Sequence, residues 1–167
     1  MRTLLVFCIA ILASGLSTAT PKVILKLDDF QASNGSCLCL PTLDYLVQKQ
    51  IKAAFGAVAN RFDSTALDIL KPYLKATNTK DEKLFEIWHH ELDHKRPEFA
   101  GTSYDYFVAN YNKLISRYPD YITLQGHPNQ WTPDKLEQFK KIIDLLISEG
   151  CEFVLPIEYY KCNNFWR

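Results

Sequence analysis

Short runs of β-forming residues alternate with helix-patterned runs along most of the chain, and this alternation constrains the fold most. Val23 to Leu27, Ala53 to Ala59, Leu84 to Trp88, Tyr121 to Leu124 and Phe153 to Leu155 read as strands. Between them lie amphipathic stretches. Leu43, Leu46, Val47 and Ile51 recur at helical spacing after Pro41, a good first helical residue. Ser64 can cap a helix through Leu67, Leu70 and Leu74, with Pro72 expected to kink or shorten it. Phe107, Tyr111, Leu114 and Tyr118 share a helical face. Thr132-Pro133 starts a helix whose stripe is Leu136, Phe139, Ile143 and Leu146, and Gly150 ends it. Strands separated by helices cannot pair as hairpins, so the sheet is mainly parallel and the class is α/β. A chain of 167 residues is too short for a complete eight-unit barrel of roughly 250 residues. The expected fold is one domain of βα units.

The first nineteen residues stand outside this pattern. Arg2 precedes an apolar run, Leu4 to Leu12, and small residues follow up to Ser17-Thr18-Ala19. That is the layout of a secretory signal peptide. The run is too short to span a bilayer, which takes about 20 apolar residues. Residues 1–19 are therefore expected to be removed, leaving residues 20–167 as a single secreted domain with no membrane attachment. An oxidising compartment permits disulfides. Cys151 and Cys162 bracket a run that, as a strand, would hold them too far apart to bridge. In a parallel sheet the loop bearing Cys37 and Cys39 and the exit of the last strand share one end. One bridge from Cys37 or Cys39 to Cys162 is expected, with Cys151 a buried free thiol. A zinc site of cysteines is disfavoured because Cys37-x-Cys39 lacks the usual spacer. Asn34-Gly35-Ser36 is a glycosylation sequon where the host glycosylates.

Charge narrows the partners. Lys plus Arg is 19 and Asp plus Glu is 19, so the net charge is zero and nucleic acid is not an expected ligand. No lysine- or arginine-rich patch adjoins the motifs below, which disfavours strongly acidic polymers. The six glycines are scattered and form no phosphate-cradling loop.

In open parallel sheets, chemistry collects at the carboxyl ends of strands. Three polar clusters fall there. Asp28-Asp29 closes the first strand, His89-His90-Glu91-Leu92-Asp93-His94 follows the third, and Gly126-His127-Pro128-Asn129-Gln130-Trp131 follows the fourth. All four histidines lie in the last two clusters. On a helical turn, His90 and His94 would face one ion, and a carboxylate would complete a two-His, one-Asp set. The plain alternative is a polar helix start. Adjacent carboxylates point differently, so one of Asp28 and Asp29 can bind metal while the other serves as a base. The alternative is a cap or a solvated pair. His127, fixed between Gly126 and Pro128, suits a proton donor or a hydrogen-bonded structural role. Trp131 suits stacking on a sugar ring or packing on the sheet.

Taken in order, Leu27-Asp28-Asp29, Glu86 to His94 and Leu124-Gln125-Gly126-His127-Pro128 resemble the polysaccharide deacetylase superfamily (NodB homology, carbohydrate esterase family four). Glu98 to Tyr104 resembles a secreted subgroup of it. The likeness runs from about Val23 to Tyr160. It implies a truncated or incomplete (β/α) barrel of the NodB type. It implies that Asp29, His90 and His94 hold a metal, zinc or another divalent ion, with Asp28 as catalytic base and His127 as catalytic acid. Trp131 becomes a substrate-binding candidate. The activity implied is removal of N-acetyl groups from chitin-like or other polysaccharides, by a secreted monomer. Two departures stand out. His89 and Glu91 replace residues usual in the family. The stretch between His94 and His127 is short, so the βα units carrying a base-orienting Arg-Pro motif have no clear counterpart; Arg96-Pro97 lies too near His94. A catalytically impaired glycan- or metal-binding relative, or a hydrolase of small amides, is the alternative.

Overall fold

A computed structural model describes residues 20–30, 38–57, 64–89, 103–118 and 120–162. The elements run β1 (Lys22–Phe30), α1 (Cys39–Lys49), β2 (Ala53–Ala57), α2 (Ser64–Leu74), β3 (Phe85–His89), α3 (Tyr104–Arg117), β4 (Tyr121–Gly126), α4 (Pro133–Ser148), β5 (Glu152–Phe153) and α5 (Pro156–Cys162). A 3-10 turn, Pro128–Gln130, links β4 to α4. The signal-like segment lies outside the described residues. No described helix is long and apolar enough to cross a membrane.

The strands form one parallel sheet in the order β3-β2-β1-β4, with β5 joined to the entry end of β1. This is the α/β architecture expected from the alternation. Val23, Leu25 and Leu27 of β1 and Ile122 and Leu124 of β4 belong to one buried cluster. In the same cluster are Leu43 and Leu46 of α1, Leu70 of α2, Phe107 and Leu114 of α3, and Phe139, Ile142 and Ile143 of α4. Four helices thus cover the same face of the sheet. A doubly wound sheet divides its helices between both faces, whereas a barrel wall keeps them outside. With α1 to α4 on one side the described sheet has the layout of a section of barrel wall, and the short α5 alone lies against its other face.

Local chemistry explains the helix ends. The Ser103 hydroxyl accepts from Tyr106 N at 3.3 Å to start α3. The Thr132 hydroxyl accepts from Lys135 N at 3.3 Å to start α4, where Pro133 loses no needed hydrogen bond. Gly150, at φ +75°, turns the chain out of α4. Gln50 takes the left-handed conformation after α1 and returns its N–H to Leu46 and Val47 carbonyls.

Two expectations change. The last strand is Glu152–Phe153 rather than Phe153 to Leu155, and α5 follows from Pro156. Pro156, at the first helical position, starts a helix directly after Leu155, between Cys151 and Cys162. The argument that kept Cys151 and Cys162 apart along one strand therefore does not describe this segment. Cys151 is a free thiol, half-buried rather than buried. Its sulfur lies 3.4 Å from the Tyr111 hydroxyl, and burial raises both groups above their ordinary pKa. Cys39 is buried and disulfide-bonded; Cys37 and the Cys162 side chain lie outside the described residues.

The sheet's other face is polar. Along β1 it presents Ile24, Lys26 and Asp28, all buried. Register continues that face through Ala54 and Gly56 of β2, Glu86 and Trp88 of β3, and Tyr121, Thr123 and Gln125 of β4. α5 lies against it. Tyr159 packs on Tyr121 with ring centroids 4.3 Å apart, Tyr160 stacks on Trp88 at 6.3 Å, and Ile157 N donates to Glu86 at 3.4 Å.

Candidate functional site

Register brings the polar clusters to one end of the sheet. Leu27 pairs with Phe55 on one side and Gly126 on the other, Gly56 pairs with Trp88, and Ala57 pairs with His89. Asp28 and His127 each follow a member of the paired row. His89, which opens the His-rich segment, ends β3 at the same level. His90 and His94 lie outside the described residues.

Asp28 and Asp29 sit on an irregularity in β1. The pairing with β2 runs Leu27↔Phe55 and then Phe30↔Ala57, so β1 spends one residue more than its partner over this step. An extra residue bends a strand and re-aims its side chains. Asp29 absorbs the change with φ +52°, a left-handed conformation that Asp tolerates better than most residues. The result separates the two carboxylates. Asp28 is fully buried and Asp29 is half-buried.

Three neighbours define the setting of Asp28. Lys26, two residues earlier on the same face, places Nζ 3.3 Å from Oδ2. Gln125, paired with Lys26 across β1 and β4, donates from Nε2 to the same Oδ2. Both donors are themselves buried. The second oxygen, Oδ1, is buried and has no hydrogen-bond partner among the described residues. It lies over Gly56, where a β-carbon would come within 2.5 Å of it. A buried polar atom without a partner is costly, and a native fold that keeps one calls for a reason such as a catalytic role or a bound water or ion. Asn129, in the turn after His127, holds a second such oxygen, Oδ1.

His127 is half-buried at the exit of β4. Its carbonyl accepts from Gln130 N at 2.9 Å, and Trp131 N donates to the Pro128 carbonyl at 3.3 Å. The turn fixes the backbone that presents the imidazole. Trp131 itself turns into the core. It is 8% exposed, and its ring lies 4.9 Å from that of Phe139. Of the two roles that suit Trp131, stacking on a sugar ring and packing on the sheet, this burial favours packing.

The described residues hold no cluster of three or more His, Cys, Asp or Glu able to bind a metal. Asp29 is the only member of the expected ligand set among them. A carboxylate and two imidazoles are a donor set that suits a divalent cation. The orphaned Oδ1 of Asp28, beside Asp29 on the bulge, fits a free base next to such a set.

Sequence reading missed three residues of this arrangement. Lys26, Gln125 and Gly56 are unremarkable along the chain and become neighbours of Asp28 only through strand register. The one available signal was a lysine and two aspartates in a strand whose parallel pairing should make it apolar.

No family model matches the sequence, and no curated protein matches it. Among solved structures, the chain is similar to a family 4 acetyl xylan esterase from Clostridium thermocellum, determined in complex with a cobalt ion. The likeness covers 84% of this chain and 90% of that one, with a TM-score of 0.53 and 19% sequence identity. At that identity the likeness speaks for architecture. The chain therefore has the fold of a family 4 carbohydrate esterase, the architecture that its strand-end motifs led one to expect.

Proposed function

We propose that this chain is a secreted, metal-dependent hydrolase that removes acetyl groups from polysaccharides, most specifically N-acetyl groups from chitin-like amino sugars. One observation carries the reading: a fully buried aspartate keeps one oxygen unpartnered among the described residues, at the sheet end it shares with His127. The similar solved structure is an esterase of acetylated xylan that was solved with a metal, which supports acetyl transfer to water as the reaction class.

Asp29, His90 and His94 would hold the cation, zinc or another divalent ion. When bound, such an ion supplies Lewis acidity for an acyl oxygen and lowers the pKa of water. The chain's own residues do the rest. Asp28 accepts the proton of the attacking water through Oδ1, and Oδ2 stays tied to Lys26 and Gln125. His127 gives a proton to the departing amine or alcohol. The products are acetate and a free amino sugar or hydroxyl.

The test is acetate release from N-acetylated chitin oligosaccharides and from acetylated xylan, with metal content measured alongside. The wild-type protein should bind about one divalent ion and release acetate, and His90→Ala should lose both. Full activity in His90→Ala would remove the proposed site.

A second reading follows from α5. Its tyrosines cover the polar face beside the site, which suits a relative that binds metal or glycan without turnover. Metal and glycan binding with no acetate release would select it.

A further inference from the structure

The two oxygens of Asp28 live in different surroundings, and the difference is built by residues outside all three motifs. Oδ2 receives an ammonium at 3.3 Å and an amide N–H from the neighbouring strand. Both donors come from buried positions paired directly across β1 and β4, so the strand ladder fixes where they stand. Oδ1 receives nothing among the described residues. It lies over Gly56 of β2, where an added β-carbon would strike it. A free carboxylate turns about its last torsion with little preference. Here two donors on one oxygen, and a bare α-carbon under the other, select a single orientation.

We infer that Lys26 and Gln125 are positioning residues that hold Asp28 by Oδ2 and reserve Oδ1 for the reacting water, and that Gly56 is required to make room for that oxygen. This deepens the hydrolase reading above and rests on it. It also answers the short stretch between His94 and His127. The residues that orient the base come from the base's own strand and from β4, so no additional βα unit is needed to supply them.

The geometry makes the roles separable. Neither Lys26 nor Gln125 reaches substrate in this scheme, so their loss should lower kcat and leave KM unchanged. Lys26→Met and Gln125→Leu should each cost about tenfold to a hundredfold in kcat, the scale on which a misplaced catalytic group acts. Neither should add to the loss already caused by Asp28→Asn, because each acts through Asp28. Gly56→Ala should lower kcat similarly. A rise in KM at constant kcat, or full additivity with Asp28→Asn, would overturn the assignment.

A second measurement needs no activity. In metal-free protein, Lys26→Met should lower Tm by about 5 °C in the wild-type background. In Asp28→Asn the same change should cost clearly less or be stabilising, because the ammonium there is buried without that carboxylate. Gly56→Ala should be costly in wild type and tolerated in Asp28→Ala. Equal losses in both backgrounds would overturn the assignment. If Lys26→Met fails to fold, Gln125→Leu, which removes only a neutral donor, gives the same cycle. A protein that releases no acetate but shows this coupling would sink the hydrolase reading and keep the positioning one. An active protein without the coupling would do the reverse.

Discussion

The two faces of β1 are both buried, yet by opposite means. Val23, Leu25 and Leu27 are apolar and lie in the cluster shared with four helices. Ile24, Lys26 and Asp28 alternate with them on the other face and are nearly as inaccessible, but two of the three are charged. The first face is stabilised by area removed from water, roughly 25 cal/mol per Å². The second must satisfy its charges by pairing or leave them at a cost. Lys26 and Gln125 satisfy one oxygen of Asp28, and the other stays unsatisfied among the described residues. A strand that held only the fold together would repeat the apolar pattern on both faces, as central parallel strands do. The comparison therefore separates what holds the sheet from what the sheet is built to hold.

Substitutions on the two faces should separate in the same way. The largest effect is expected at Asp28. Asp28→Asn keeps the shape and removes the base, and acetate release should fall about a thousandfold, within the range for general-base removal. Its Tm should fall as well, at least as far as that of Lys26→Met, because the amide leaves the buried Lys26 ammonium without that carboxylate. Leu25→Ala is the matching change on the apolar face. It removes a fully buried side chain under the helices and should cost about 3 kcal/mol of stability. Activity per folded molecule should be nearly unchanged, measured at a temperature where the variant is folded. A variant of Leu25 that folds normally and loses turnover would break the division between the faces.

The α5 cover offers a smaller test. Tyr160→Ala removes the stacking partner of Trp88 and should cost about 1 kcal/mol. If α5 shields the polar face from polymer, the same change should also lower KM for long oligosaccharides more than for short ones. An unchanged chain-length profile would leave α5 a packing element alone.

How far the sequence revealed these faces depends on what each one requires. Strands and helices of the apolar face were legible because their signals are local. Ser103, Thr132-Pro133 and Gly150 mark ends by capping chemistry, and Leu136, Phe139, Ile143 and Leu146 repeat at helical spacing. The strand-end position of Asp28 and of His127 was legible for the same reason. The setting of Asp28 was not. Gln125 and Gly56 reach it across two strand pairings, and no local pattern reports register. β1 was also longer than it read, because the extra residue at Asp28-Asp29 lets pairing resume at Phe30. The bounds of β5 are less legible, because Phe153 to Leu155 lies in a short apolar run whose extent as strand periodicity cannot assign. Composition leaves Trp131 a choice of stacking or packing, and its burial favours packing.

The smallest expected effect concerns how α5 is tied down, and it is one of pH. Lys52, at the entry of β2, reaches Glu158 of α5 at 2.8 Å and Glu82 at 2.9 Å. Burial pulls its pKa down, but the hydrogen bonds and charges of Glu158 and Glu82 outweigh that, and the net shift is upward. A cation whose folded pKa is raised binds its proton more tightly when folded. Its contribution is therefore complete below the ordinary lysine range and is lost as pH rises through the folded value. Glu86, on the polar face beneath α5, is raised chiefly by burial, with its hydrogen bond from Trp88 opposing. For a carboxyl raised on folding, the protonated form is the favoured one. Stability is then greatest below the ordinary glutamate range and falls as pH rises toward the raised folded value. The two groups act in separate windows, one alkaline and one mildly acidic. Lys52→Met should cost about 1 kcal/mol near neutrality and flatten the alkaline limb of a Tm profile. Glu86→Gln should flatten the acidic limb and leave the alkaline one in place. If either substitution flattened both limbs, α5 and the polar face would be coupled as one unit, and the separation between the anchor and the site would have to be redrawn.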